Sequence, residues 1–223
     1  MYDRTYQNKT LSFEPSGGLL NASLVMADRE TDTFWSIMTG TAIAGKLKGT
    51  PLRELSVAQK MKWKDWVSRY PNTLVLSVNG REDVGRNPYA RYFSSGKGYR
   101  GMEAKDRRLK TKEPVFAFTW KGRKYAVPHK KIRNGVSFQL DNAYIFLYRP
   151  RKARMFASTV AYVSRSSTFL LENGKWKHEG SGCVFAPDVG EFQGSQACPD
   201  RLKGFDTFWY IWSLTHPDTQ ILQ

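Results

Sequence analysis

Trp63-Lys-Asp-Trp66-Val-Ser-Arg-Tyr-Pro71-Asn-Thr73-Leu-Val-Leu76 and Trp209-Tyr-Ile-Trp212-Ser-Leu-Thr-His-Pro217-Asp-Thr219-Gln-Ile-Leu222 are two stretches of one chain that read alike. Both carry Trp-x2-Trp-x4-Pro-x-Thr-x2-Leu, and the matches keep one offset, 217 − 71 = 212 − 66 = 146. A register shared over that many positions predicts an internal duplication, with copies from Trp35 to Ser77 and from Trp176 to Leu222. Gly40 to Gly45 and Gly182 to Pro187 correspond more loosely.

The motif has a physical reading. Ser56 is a plausible N-cap, and Trp63, Trp66, Val67 and Tyr70 fall at i, i+3, i+4 and i+7, one face of a helix that Pro71 ends. In the second copy Asp206 is expected to cap a helix whose apolar face is Phe205, Phe208, Trp209, Trp212 and His216. Pro217 then ends it before a short strand. An aromatic stripe at helical spacing in both copies is expected to pack against a sheet. Apolar runs with a period near two predict strands at 23–26, 73–78, 114–120, 124–127, 143–148 and 159–163. The fold class is therefore α+β, mainly β: a duplicated repeat of short antiparallel strands with one aromatic-rich helix per repeat. Residues 1–78 form the first repeat, 79–112 a basic, glycine-containing connection, and 113–223 the second repeat, together one compact unit.

The chain has 223 residues and a formal net charge of +15, with 14% aromatic residues and only two cysteines. That composition excludes a disordered chain and a disulfide-dense miniprotein. No apolar run is long enough to span a membrane, and Met1-Tyr2-Asp3-Arg4 does not read as a signal peptide, so the chain is expected to be soluble as written. Residues 91–154 hold eighteen Lys or Arg against four carboxylates, with Tyr92, Phe93, Tyr99, Trp120, Tyr125 and Tyr148 interleaved. This composition suits a groove that neutralises phosphates and stacks bases, and it equally suits a solvated basic face.

Ser16-Gly-Gly-Leu-Leu-Asn21 through Asp28-Arg29-Glu30-Thr31 and Trp35, with Trp63-Lys-Asp-Trp66, Gly85-Arg86-Asn87-Pro88-Tyr89 and Gly204-Phe-Asp-Thr-Phe-Trp-Tyr-Ile-Trp212, resembles the bacterial domain of unknown function 3179. The resemblance covers nearly the whole chain. It implies two related halves, and an extracytoplasmic location, since many members look exported. It implies no activity. Members typically carry a Cys-Pro-x-Cys-like segment ahead of the equivalent of Tyr2-Asp3-Arg4.

Cys183, Cys198, His178 and His216 all lie in the second repeat. They could hold a transition metal, although H-x4-C-x14-C-x17-H lacks the tight ligand pairs of zinc sites. A Cys183–Cys198 disulfide suits an exported family better, and two inert thiols are the third reading. His216 has Tyr70 as its counterpart, and a protonated imidazole there would suit the end of a helix. Ser94-Ser-Gly-Lys97 and Gly96-Lys-Gly-Tyr-Arg-Gly101 match nucleophile and dinucleotide patterns without the strand and helix those need. The leading expectation is a ligand-binding or structural module, taking a small ligand or anion between the repeats at Ser16, Asn21, Asp28, Arg29, Asn87 and Tyr89. The alternatives are a metal- or thiol-dependent enzyme centred on His178, Cys183, Cys198 and His216, and nucleic-acid binding through 91–154.

Overall fold

The structure, a computed structural model, describes residues 1–55, 63–77, 88–153, 157–194 and 197–223. Its strands are β1 (Thr5–Tyr6), β2 (Lys9–Thr10), β3 (Phe13–Leu20), β4 (Ser23–Asp28), β5 (Phe34–Ser36), β6 (Ala42–Ala44), β7 (Pro114–Trp120), β8 (Arg123–Pro128), β9 (Val136–Leu140) and β10 (Ala143–Tyr148). They continue as β11 (Val160–Ser164), β12 (Phe169–Glu172), β13 (Lys175–His178), β14 (Val184–Ala186), β15 (Glu191–Gln193), β16 (Asp200–Arg201), β17 (Phe205–Phe208) and β18 (Gln220–Ile221). The helices are α1 (Trp63–Arg69), α2 (Ala90–Ser94), α3 (His129–Ile132) and α4 (Trp209–Thr215). The protein is mainly β, as the sequence predicts.

Two sheets, β17-β7-β8-β18 and β16-β11-β10-β9, face each other across the largest core cluster. Both are covered on their other face as well, which is why β7 and β10 read as near-continuous apolar runs. Alternation along each strand sorts the side chains. Phe116 and Phe118 of β7 meet Ile145 and Leu147 of β10, while Val115 and Ala117 point the other way, onto Trp209, Tyr210 and Trp212 of α4. Phe146 and Tyr148 of β10 turn outward to Phe169, Phe185 and Phe192 of the meander β12-β13-β14-β15. A second meander, β3-β4-β5-β6, closes its own small core of Leu11, Trp35 and Ala42. It leans on the α4 layer through Ala22 and Met38.

Tight turns set these hairpins. Asn21-Ala22, Lys121-Gly122 and Asn173-Gly174 have φ above zero at both central positions, the backbone whose twist matches the flanking strands. Cys183, immediately before β14, is joined to Cys198 ahead of β16, so the disulfide ties the outer meander to the edge of the β9–β11 sheet. Of the three cysteine readings, the disulfide is the one the structure contains.

Several local expectations are corrected. Asp206 does not cap a helix. Residues 205–208 pair with β7 as a strand, and α4 begins only at Trp209, after an extended Phe208 with no side-chain cap. Phe205 and Phe208 therefore sit on a strand. His216 lies just past α4 rather than in its last turn. The strand expected over 73–78 is absent among its described residues 73–77, where Leu74 and Leu76 are almost fully exposed. Its counterpart Gln220–Ile221 becomes β18 because the edge of β8 at Tyr125 and Ala126 is there to accept it. Ser56 lies outside the described residues.

The two quoted motifs share local geometry. Tyr70 N–H donates to Trp66 O at 2.9 Å and His216 N–H to Trp212 O at 2.8 Å. Thr73 Oγ1 donates to Tyr70 O at 2.8 Å and Thr219 Oγ1 to His216 O at 2.7 Å. Trp66 packs on Tyr70 with centroids 4.6 Å apart, and Trp212 on His216 at 4.2 Å.

Candidate anion-binding cleft

A cleft of about 480 Å³ opens between the N-terminal meander and the β17-β7-β8-β18 sheet. Small-molecule sites commonly fall in the range of roughly 300–1,000 Å³. Tyr2, Thr39, Thr41 and Glu54 line one wall; Thr119, Lys124, Lys203, Gly204, Trp212 and His216 line the other. Gly204 is there because a Cβ would run into the Phe116 ring and approach Ala117 O to 2.8 Å, so only glycine lets the chain cross this close to β7.

The charges in the cleft favour an anion. Lys124 Nζ donates to Thr119 Oγ1 at 3.0 Å and Lys203 Nζ to Glu54 O at 2.9 Å, leaving each ammonium further donors. Against these two cations stands one carboxylate among the described lining residues, Glu54. Tyr2, whose hydroxyl donates to Met38 O at 3.3 Å, has its phenol pushed up to about 12 by burial, with Glu54 adding to the shift. Burial, with the Lys124 ammonium adding to the shift, pushes His216 down to about 4. The expected protonated imidazole at the end of the helix is thus corrected: at neutral pH His216 is uncharged.

Trp212 differs from its counterpart in the first motif. In the first motif Trp66 Nε1 donates to Thr73 Oγ1 at 2.8 Å. In the second, Trp212 is 2% exposed and its Nε1 has no hydrogen-bond partner in the structure. A buried N–H without an acceptor is costly and calls for an explanation.

The family profile of DUF3179, a protein of unknown function, matches residues 1–219. The chain belongs to the DUF3179 family. No curated protein and no solved structure matches it. For a DUF3179 protein, then, site chemistry has to be read from the residues themselves.

The residues singled out in the DUF3179 sequence mostly lie outside the cleft. Asp28 is 1% exposed, and its carboxylate accepts from Thr31 N at 2.6 Å, Thr31 Oγ1 at 2.8 Å and Trp35 Nε1 at 2.7 Å, which locks the β4–β5 turn. Ser16 Oγ donates to Val25 O at 2.7 Å where the β3–β4 register shifts. Asn21 Nδ2 donates to Leu214 O at 3.2 Å, pinning the β3–β4 hairpin to the end of α4. Arg29 forms an exposed pair with Glu14 at 2.7 Å. Tyr89 is exposed before α2, and Asn87 lies outside the described residues.

The proposed metal quartet is not assembled. The disulfide engages both sulfurs, and both ring nitrogens of His178 lie 2.7 Å from hydroxyls, Nδ1 from Ser181 and Nε2 from Ser164. His216 stands in the cleft. Among the described residues no three His, Cys, Asp or Glu side chains are grouped to hold a metal ion. No helix among them is long and apolar enough to cross a membrane.

Sequence reasoning missed a buried network around Asp206. Its carboxylate accepts from Thr159 N at 2.7 Å, Thr159 Oγ1 at 2.5 Å and Arg149 Nη1 at 3.2 Å, and lies 2.7 Å from His129 Nε2. It missed Lys124 and Lys203 too, since the cleft residues come from six separate parts of the chain. The one signal present was the replacement of Tyr70 by His216 between the motifs.

Proposed function

We propose that this protein is a non-catalytic binding module that takes a small anion, such as a carboxylate or phosphate, in the cleft between its N-terminal meander and the β17-β7-β8-β18 sheet. The observation that carries the reading is a cleft that gathers Lys124 and Lys203 beside Trp212, whose buried Nε1 has no hydrogen-bond partner in the structure. Thr39, Thr41 and Thr119 add hydroxyls that can donate to anion oxygens. In this account 1–78 and 113–223 are duplicated units, 79–112 connects them, and the shared motif geometry and the two meanders support that descent. The second copy has diverged: losing the Trp66–Thr73 type of bond frees a donor for the ligand.

The test is a tryptophan-fluorescence titration with inorganic phosphate, sulfate and succinate. A saturable change with at least one of them, absent in Trp212→Phe, is the expected result. A flat response to all three, or an unchanged response in Trp212→Phe, contradicts the proposal.

A further inference from the structure

On the far side of the molecule a half-open groove of about 620 Å³ runs beneath the outer meander, lined by Asn134, Tyr148, Lys175, Trp176, Phe185 and Gln193. Trp176 is fixed in it. Its Nε1 donates to Asn134 O at 2.7 Å, and Gly135, at φ 98°, leaves room for the indole where any Cβ would collide with it. The same short segment carries the charge. Arg133 pairs with Arg149 in a parallel bridge and Asn134 N–H donates to Arg149 O at 2.8 Å, which joins the segment carrying Lys131 and Arg133 to the one carrying Arg151 and Lys152. Lys131, Arg133, Arg151, Lys152 and Lys175 are exposed, and none forms an ion pair with a described residue. Their neighbour Lys130 is engaged with Glu113 at 3.4 Å.

We infer that this groove and its basic corner bind single-stranded nucleic acid, with a base against Trp176 and the backbone phosphates on Lys131, Arg133, Arg151 and Lys152. The charge complementarity comes from four exposed cations, none ion-paired with a described residue, on the segments that lead into the groove residues Asn134 and Tyr148, and cations beside a stacking ring are the pairing that sequence-tolerant single-strand binders use. A sulfated glycan would satisfy the cations as well, but each sugar ring brings hydroxyls that need partners. The floor is chiefly apolar carbon, aromatic at Tyr148, Trp176 and Phe185 and aliphatic at Leu171, Val184, Ala186 and Pro187, with Asn134, Lys175 and Gln193 as polar groups, which suits the flat face of a base. Of the aromatics interleaved in 91–154, Tyr125 is buried in the core and Tyr92 packs on Phe208, so neither serves this surface. The decisive ring, Trp176, lies outside that stretch.

The experiment is fluorescence anisotropy of the full chain with labelled oligothymidylate, an abasic strand of equal length, and heparin, each over a salt series. Four neutralised phosphates give log affinity against log salt a slope of about −3, falling to about −1.4 in Arg151→Ala/Lys152→Ala. Stacking makes oligothymidylate bind about fivefold or more tighter than the abasic strand, and Trp176→Leu removes that preference. Equal binding of the abasic strand or preference for heparin would overturn the assignment, as would no binding at low salt. The abasic comparison uses the unaltered protein, so it stands even if Trp176→Leu fails to fold.

Discussion

Asp206 Oδ1 stands 2.7 Å from His129 Nε2, with both side chains almost fully buried between β17, the start of α3 and the end of β10. Burial alone would raise this carboxyl, but the hydrogen bonds from His129 and Thr159 outweigh it and hold the group below its ordinary value. A carboxylate depressed in the folded state stabilises above its unfolded pKa of about 4, and that contribution is lost as pH falls further. Asp206→Asn leaves the buried Arg149 facing a neutral amide, so unfolding in denaturant should show a loss of about 3 kcal/mol or more at neutral pH. A loss under about 1 kcal/mol, within the range of an ordinary hydrogen bond, would contradict this role.

His216 gives a second pH dependence. Its folded pKa, near 4, lies below the unfolded value of about 6.5, so the neutral ring contributes stability above about pH 6.5 that declines toward pH 4. Imidazole NMR should show His216 uncharged at pH 6, and Lys124→Ala should move its titration upward. Titration near the ordinary histidine value would refute the burial and charge argument.

The Cys183–Cys198 bridge closes a separation of 15 residues. Replacing both cysteines with serine should cost about 3 kcal/mol in the chain-entropy account. For a chain of this size that lowers Tm by roughly 6–12 °C. Calorimetry of the double variant against the oxidised protein measures it, and an unchanged Tm would count against the tether.

Asn21 and Arg29 separate docking from surface charge. Asn21→Ala removes the hydrogen bond to Leu214 O and should cost about 1 kcal/mol. Arg29→Ala breaks only the exposed pair with Glu14 and should stay within about 0.5 kcal/mol. Urea midpoints for the two variants should differ in that order.

The central strands were legible because both faces are buried: β7 and β10 run over 114–120 and 143–148, the bounds expected from their apolar runs. The outer meanders were not, since β5, β6, β14 and β15 have three residues each, too few to show a period. Asn173-Gly174, between Phe169-Leu-Leu and Trp176, is the one clear hairpin signal in the outer meander, with φ above zero at both positions. Asp206 misled for a different reason. Phe205, Phe208, Trp209 and Trp212 fit a helical face, and only the pairing of β17 with β7 makes the first two a strand. No spacing along the chain could have joined Tyr2, Lys124, Lys203 and His216, which meet only through the stacking of the layers.

The central claim is most directly tested by isothermal titration calorimetry of the chain and of Lys124→Ala with phosphate, sulfate and succinate. The account predicts one-to-one binding of at least one anion, weakened about tenfold or more in Lys124→Ala, as the loss of a charge-assisted hydrogen bond requires. Equal affinity in the variant, or no heat from any of the three, would contradict an anion held in the cleft.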